Sequence, residues 1–186
     1  MTLETSGGAG AGPGVSRLIR DIMTQYETPL LRYAARLVND VSLAQDVVQE
    51  TLIRLHRHLD GGGIMPENLK SWLYRVAHNQ AVDLIRREQR LRLLHENEAE
   101  ARTASAPRVD EAAEREEAME RVIEEIQKLS DKERQVVLLR LQEGMSYRDI
   151  SQVTGETEGN IGYLLHHAVR KLGTRLRGAA ERRVPA

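Results

Sequence analysis

The chain of 186 residues has no cysteine and no phenylalanine, one tryptophan, five tyrosines and five prolines. Lack of cysteine excludes disulfides and thiolate metal sites, and fits a reducing compartment. With so few aromatics, aliphatic side chains must fill the interior, as helix-on-helix packing permits. Runs rich in β-branched and aromatic residues, which mark strands, are missing, so the expected fold is all-α. No apolar run approaches the roughly 20 residues of a membrane span, and the first residues lack the basic-then-apolar order of a secretory signal. The expected location is the cytoplasm, without membrane insertion. No nucleophile–base pair, phosphate-binding glycine loop or paired carboxylate in an apolar setting can be read, so no enzyme activity, catalytic residue or cofactor is expected. On a helix His166 and His167 point about 100° apart and His56 and His58 about 200° apart, so neither pair holds a metal jointly.

What the chain does carry is concentrated in residues 130–177. Ser146, with Asp149 three residues later, has capping-box spacing, and Tyr147, Ile150 and Val153 are expected to form the buried side of a short helix. Gly155 stops that helix, because glycine takes the left-handed conformation at a helix C-terminus without a Cβ clash. Thr157 then caps a second helix in which Ile161, Leu164, Leu165, Ala168, Leu172 and Leu176 recur at helical spacing. Glu158, Asn160, Tyr163, His167, Arg170 and Lys171 fall outward. Two helices around such a turn have the form of a helix-turn-helix DNA reader, the second being the major-groove probe. The same pattern also occurs in ordinary helical bundles.

The net charge of −1 hides a segregation. Residues 69–92 hold six Lys/Arg against two acids, residues 93–133 six against thirteen, and residues 134–186 nine against five. Two basic lobes flanking an acidic connector suit a protein that meets a polyanion at two places, since basic surfaces gain affinity by releasing counterions from phosphates. Solvated faces of ordinary helices would give the same segregation. The connector's charge also suggests that it holds the two lobes together in the free protein.

Along the chain, residues 1–14 are rich in glycine and lack apolar periodicity, which predicts a disordered tail. A first lobe over residues 15–91 reads as helices throughout. Its opening stripe is Leu18, Ile22, Tyr26, Leu30, Tyr33 and Leu37, with Pro29 at a break or near a helix start. A further helix carries Leu43, Val47, Leu52, Leu55 and Leu59. The loop from Asp60-Gly61-Gly62-Gly63 through Pro66 follows, after which Asn68 caps a long helix to about Arg90. Residues 92–113 read as a linker that spans about 70 Å if fully extended. A second lobe of four helices is expected over 114–178, with a short tail over 179–186.

The run DVVQETLIRLHRH (46–58), then SWLYRVAHNQAVDLIRREQR (71–90), then LSDKERQVVLLRLQEGMSYRDIS (129–151) resembles, in this order, an extracytoplasmic-function (ECF) sigma factor of bacterial RNA polymerase. The resemblance covers about residues 20–91 and 115–177. It implies two small helical domains, sigma region 2 and region 4, joined by the linker. It also implies three partners: core RNA polymerase, promoter DNA and an anti-sigma factor.

Within the first stretch Asp46, Gln49, Glu50, Ile53 and Arg57 share one side of a helix, and an isoleucine inside a polar stripe suits docking. The resemblance assigns this face to core polymerase. An exposed helix with one stray apolar residue is the plainer reading. In the second stretch Leu69, Leu73, Val76 and Leu84 point inward, while Arg75, Asn79, Arg86 and Arg90 fall within about 60° of one another on the opposite side. The arginines suit phosphates, and Asn79 offers a donor and an acceptor to an unstacked base. The resemblance assigns these residues to recognition and opening of the minus-ten element, with the loop 60–68 helping to form a pocket for a flipped base. Trp72 suits stacking on a base, although a lone tryptophan among Leu and Val more often fills a core.

The resemblance makes the helix-turn-helix the reader of the minus-thirty-five element, through Arg148, Thr157, Glu158, Asn160, Tyr163, His167, Arg170 and Lys171. Here the chain departs from the family. Where members have basic side chains, this chain has Gly162, Leu164, His167 and Val169, which predicts weaker phosphate affinity or a different approach to DNA. Arg148, Arg170, Lys171 and Arg175 are placed to compensate. Two other readings fit the second lobe alone: a regulator that binds operators without joining polymerase, and an adaptor that no longer reads DNA. The DVVQE and WLYRVAHN segments of the first lobe favour the sigma factor.

Overall fold

A computed structural model describes residues 13–94 and 111–181. The helices are α1 (Pro13–Val38), α2 (Val41–Asp60), α3 (Leu69–Leu94), α4 (Glu111–Gln127), α5 (Asp131–Val137), α6 (Tyr147–Thr154) and α7 (Glu158–Glu181), with a π-helical turn (Leu138–Gln142) continuing α5. Among the described residues there is no strand, in agreement with the all-α expectation. None of these helices is long and apolar enough to cross a membrane.

Local chemistry sets most helix ends. The Asp40 carboxylate accepts the Leu43 N–H at 3.0 Å and starts α2. Asn68 accepts the Ser71 N–H at 3.0 Å and starts α3, and Thr157 accepts the Asn160 N–H at 3.2 Å and starts α7. Ser146 and Asp149 form the expected capping box of α6, and Gly155 closes that helix at φ 76°.

In the first lobe Leu30, Tyr33, Ala34 and Leu37 of α1 close against Val47 and Leu55 of α2 and against Leu73, Tyr74, Ala77 and Ala81 of α3, all essentially without solvent exposure. In the second, Ile126, Val136, Val137, Leu139, Ile150, Ile161, Leu165 and Ala168 form the interior shared by α4 to α7.

Several expectations are corrected. Pro29 neither breaks nor starts a helix but lies inside α1. Burial of Ile22 before it and Leu30, Tyr33 and Leu37 after it offsets the roughly 3 kcal/mol that an interior proline costs. Leu18 is 41% exposed and Ile19 takes its place in the core. Tyr147 lies outside the buried side of α6, which is made by Ile150 and Val153. Helix also covers Pro13 and Gly14 and residues 92–94, 111–113 and 179–181. The remainder of the tails and of the linker, 1–12, 95–110 and 182–186, lies outside the described residues.

The two lobes meet directly, through α3 and the end of α1 on one side and the π turn and α6 on the other. The interface is strongly polar. Asp149 accepts hydrogen bonds from Asn68 Nδ2 at 2.7 Å and Ser71 Oγ at 3.0 Å. Lys70 donates to the Glu143 carbonyl at 2.5 Å, Tyr74 donates to the Glu143 carboxylate, and Arg36 donates to Gln142. These contacts join the lobes through side chains of the helical bodies, whereas residues 95–110 of the connector expected to hold them lie outside the described residues.

Candidate functional site

Three surfaces carry the side chains singled out in the sequence. The first is a groove of about 710 Å³ between α1 and α2. Ile19, Met23 and Leu31 of α1 and Val48, Leu52 and Ile53 of α2 make its apolar wall, with Gln49, His56 and Arg57 along one edge. Of the expected docking residues, Gln49, Ile53 and Arg57 therefore share one concave site. Asp46 is exposed beside them, and Glu50 is engaged by Arg54 at 2.9 Å. Sequence reasoning on α2 alone missed the half of the groove that α1 supplies. The signal was present in Met23 and Leu31, apolar residues lying off the main α1 stripe.

The second surface is the outer side of α3. Arg75, Asn79, Arg86 and Arg90 are all exposed, opposite buried Leu73, Tyr74, Ala77 and Ala81. Leu69, Val76 and Leu84 are half-buried on the inner side. Asp83 lies 3.9 Å from Arg86, a long and exposed pair that leaves the guanidinium available. Below this face Tyr33 and His78 form a buried hydrogen bond. Burial, with a smaller contribution from Arg86, lowers the His78 pKa to about 4, so the ring is neutral at pH 7. Trp72 is half-buried against the core, with its ring centroid 6.0 Å from that of His58.

The third surface is the helix-turn-helix. Arg148, Thr157, Glu158, Tyr163 and Arg170 are exposed, and Asn160 and His167 are half-exposed. Tyr163 and His167 stack, with centroids 4.3 Å apart. Two expected readers have intramolecular duties. Asn160 Nδ2 donates to Glu156 at 2.6 Å, and Glu156 in turn pairs with Lys132 at 2.7 Å; these two hydrogen bonds hold its carboxyl below the usual range. Lys171 donates to both oxygens of buried Glu133, at 2.7 and 3.0 Å. Burial opposes ionisation of Glu133, but the hydrogen bonds from Lys171 and Ser130 prevail and keep its pKa low.

A second groove, of about 600 Å³, joins Arg140, Leu141 and Tyr147 to Gly162, His166, Val169 and Arg170 of α7. Arg140 donates to the Met145 carbonyl at 2.8 Å and lies 5.6 Å over the Tyr147 ring. Arg140 was missed because it sits in the π turn, whose extra residue per turn rotates it off the α-helical register. A Cβ at Gly162 would meet the Tyr147 ring at 3.6 Å, an ordinary contact, so a side chain fits there without strain.

Residues 22–91 match the sigma-70 region 2 family, and residues 119–172 match sigma-70 region 4. Over 166 residues, 88% of this chain and 92% of the relative, the sequence is 32% identical to the ECF RNA polymerase sigma factor SigL of Mycobacterium tuberculosis. The chain belongs to the ECF sigma factor family. As such it serves bacterial RNA polymerase in promoter recognition and transcription initiation, and the regulator that never joins polymerase is not favoured. RNA polymerase sigma factor YlaC of Bacillus subtilis is 25% identical over 81% of this chain and 87% of its own. The same fold occurs in the sigma factor RpoE of Bartonella quintana, solved with the anti-sigma factor NepR, at a TM-score of 0.70 and 21% identity over 87% of this chain and 98% of that one. It occurs again in CnrH, solved with the cytosolic domain of CnrY, at a TM-score of 0.62 and 23% identity over 88% and 90% of the two chains. In this ECF sigma factor the region 2 match spans most of α1 to α3, and the region 4 match runs from within α4 into α7.

Proposed function

We propose that the three surfaces divide the work of this sigma factor. The α1–α2 groove docks core RNA polymerase, with Ile53 entering the partner and Asp46, Gln49, Glu50 and Arg57 contacting its polar rim. The α3 face engages the minus-ten element: Arg75, Arg86 and Arg90 neutralise phosphates, Asn79 meets a base edge, and loop 60–68 borders the melted strand. The helix-turn-helix reads the minus-thirty-five element through Arg148, Thr157, Glu158, Asn160, Tyr163, His167 and Arg170, joined by Arg140. Lys171 sits at the border of that surface, its charge already paired.

The observation that carries this reading is the exposure of Arg75, Asn79, Arg86 and Arg90 along one side of a helix whose other side is buried at Leu73, Tyr74, Ala77 and Ala81. Such a row of cations has no packing role and suits a polyanion. The chain contributes recognition, and bond formation belongs to the polymerase. It works in the cytoplasm, under an anti-sigma partner, a reading supported by the likeness to RpoE, which was solved with the anti-sigma factor NepR. Run-off transcription with reconstituted holoenzyme tests the assignment. Arg75→Ala with Arg86→Ala should abolish promoter-specific transcripts while leaving core binding intact; loss of core binding instead would move α3 to the polymerase interface.

A further inference from the structure

The loop between α2 and α3 is built around one imidazole. His58, in the last turn of α2, is exposed, yet its Nε2 donates to the Ile64 carbonyl at 2.9 Å. Its own carbonyl accepts the Gly63 N–H at 2.9 Å. A Cβ on Gly63 would lie 2.5 Å from His58 Cε1 and 2.7 Å from Nδ1, so the ring rests directly on the glycine backbone. On its other side the ring lies against Trp72 of α3. One side chain thus ties the end of α2, the loop and the start of α3 together.

What the loop presents is unusual. Ile64 is 86% exposed, the most exposed large hydrophobic among the described residues, and it sits directly on the carbonyl that His58 holds. Gly61-Gly62-Gly63-Ile64-Met65-Pro66 has no polar side chain with which to read a base edge. A segment of this composition discriminates only by shape, by apolar contact and by its backbone N–H and C=O groups. All three require a fixed backbone, and a glycine triplet does not fix itself.

We propose that His58 is a positioning residue that locks loop 61–66 and thereby sets which base of the minus-ten element this sigma factor accepts beside Ile64. This rests on the reading that α3 and its preceding loop face the minus-ten element. His58 acts through the loop backbone and makes no base contact of its own.

Three variants separate its roles in the full-length protein. His58→Phe keeps a ring against Trp72 and removes the donor. His58→Gln restores an N–H near the Ile64 carbonyl, and Gly63→Ala, whose Cβ would also meet the His58 carbonyl at 2.5 Å, displaces the ring together with the backbone on which it rests. Amide hydrogen exchange of the free protein reads the loop itself, and core-polymerase affinity reports that each variant is folded. Exchange at residues 61–64 should rise about tenfold in His58→Phe and Gly63→Ala and stay near wild type in His58→Gln. Holoenzyme presented with promoters randomised through the minus-ten element should show, in the first two variants, a preference at one position weakened about fivefold or more. Selection at minus-thirty-five should not change, and His58→Gln should retain the preference. Unchanged exchange in His58→Phe overturns the locking role. Raised exchange with an intact base preference overturns the specificity role. A wild-type holoenzyme indifferent to every minus-ten base overturns the reading of α3 and its loop, and the exchange result still decides whether His58 locks the loop.

Discussion

Tyr33 Oη lies 2.8 Å from His78 Nδ1, and both side chains are buried, with relative exposures of 0% and 4%. Burial, reinforced by Glu143, holds the phenol pKa far up, so the hydroxyl is protonated and donates, and the neutral imidazole accepts at Nδ1. The pair ties α1 to α3 directly beneath the cationic face on which minus-ten recognition is proposed to rest.

This pairing makes stability dependent on pH in a defined direction. His78 has a folded pKa of about 4 against an ordinary 6.5, so the unfolded chain binds the extra proton between those values. The contribution is complete above pH 6.5 and is lost as pH falls through 4, about 3 kcal/mol in all. Urea unfolding from pH 7.5 to 4 should show that decline, and His78→Gln should flatten it. Tyr33→Phe leaves the ring nitrogen without its donor and should lower stability by about 1–2 kcal/mol at pH 7.

Ile53→Asp should weaken core-polymerase binding by at least about tenfold with little loss of thermal stability, because the side chain is only half-buried in the free protein. Arg57→Ala should have a smaller effect that fades at high salt. Titration of labelled protein into core enzyme checks both, and full affinity in Ile53→Asp would remove the α1–α2 groove from the interface.

Ser71→Ala with Tyr74→Phe takes two donors from Asp149 and Glu143 without touching the caps of α3 or α6. The lobes should separate more readily, seen as a larger radius of gyration in small-angle scattering, with each lost bond contributing about 1 kcal/mol. Hydrogen bonds from Ser146, and then from Ser71 and Asn68, hold the Asp149 carboxyl below its usual range despite some burial. Its contribution is therefore present above the ordinary carboxylate pKa and lost as pH falls through the lowered one, so acidification should open the wild-type protein in the same way.

Lys171 and Arg170 are neighbours with opposite expected behaviour. Lys171→Ala strands a buried carboxylate and should cost about 1–2 kcal/mol of stability, reduced from the fully buried case because Lys171 is 48% exposed, while the salt dependence of DNA binding stays unchanged. Arg170→Ala should leave stability unchanged and lower the slope of log affinity against log salt by about 1. Equilibrium binding to minus-thirty-five duplexes across a salt series distinguishes them.

How far the placement of the candidate site residues was legible follows from how local its determinants are. The exposed row on α3 was read correctly because burial of Leu73 at the same helical period fixes the opposite side. Lys171 and Asn160 were read only in part, since an outward position on a helix does not reveal a carboxylate brought up from elsewhere. Glu133 comes from α5, 38 residues before Lys171, and Glu156 meets Asn160 while also bound to Lys132. The π turn was not legible, since it spans only Leu138–Gln142, too short a stretch for its shifted register to show in the apolar periodicity.

The sequence by itself determined the helical content, the capped helix ends and the family. Asn68, Ser146, Gly155 and Thr157 act on backbone groups within four residues, and such interactions need no distant partner. Only the tertiary structure decided what those residues also do at long range. Asp149 caps its own helix and reaches Ser71, 78 residues away, His58 becomes the centre of a loop, and α1 completes a groove that α2 cannot form alone. The reason is that periodicity states which side of a helix is buried, whereas the identity of the surface it meets depends on the packing of every element together.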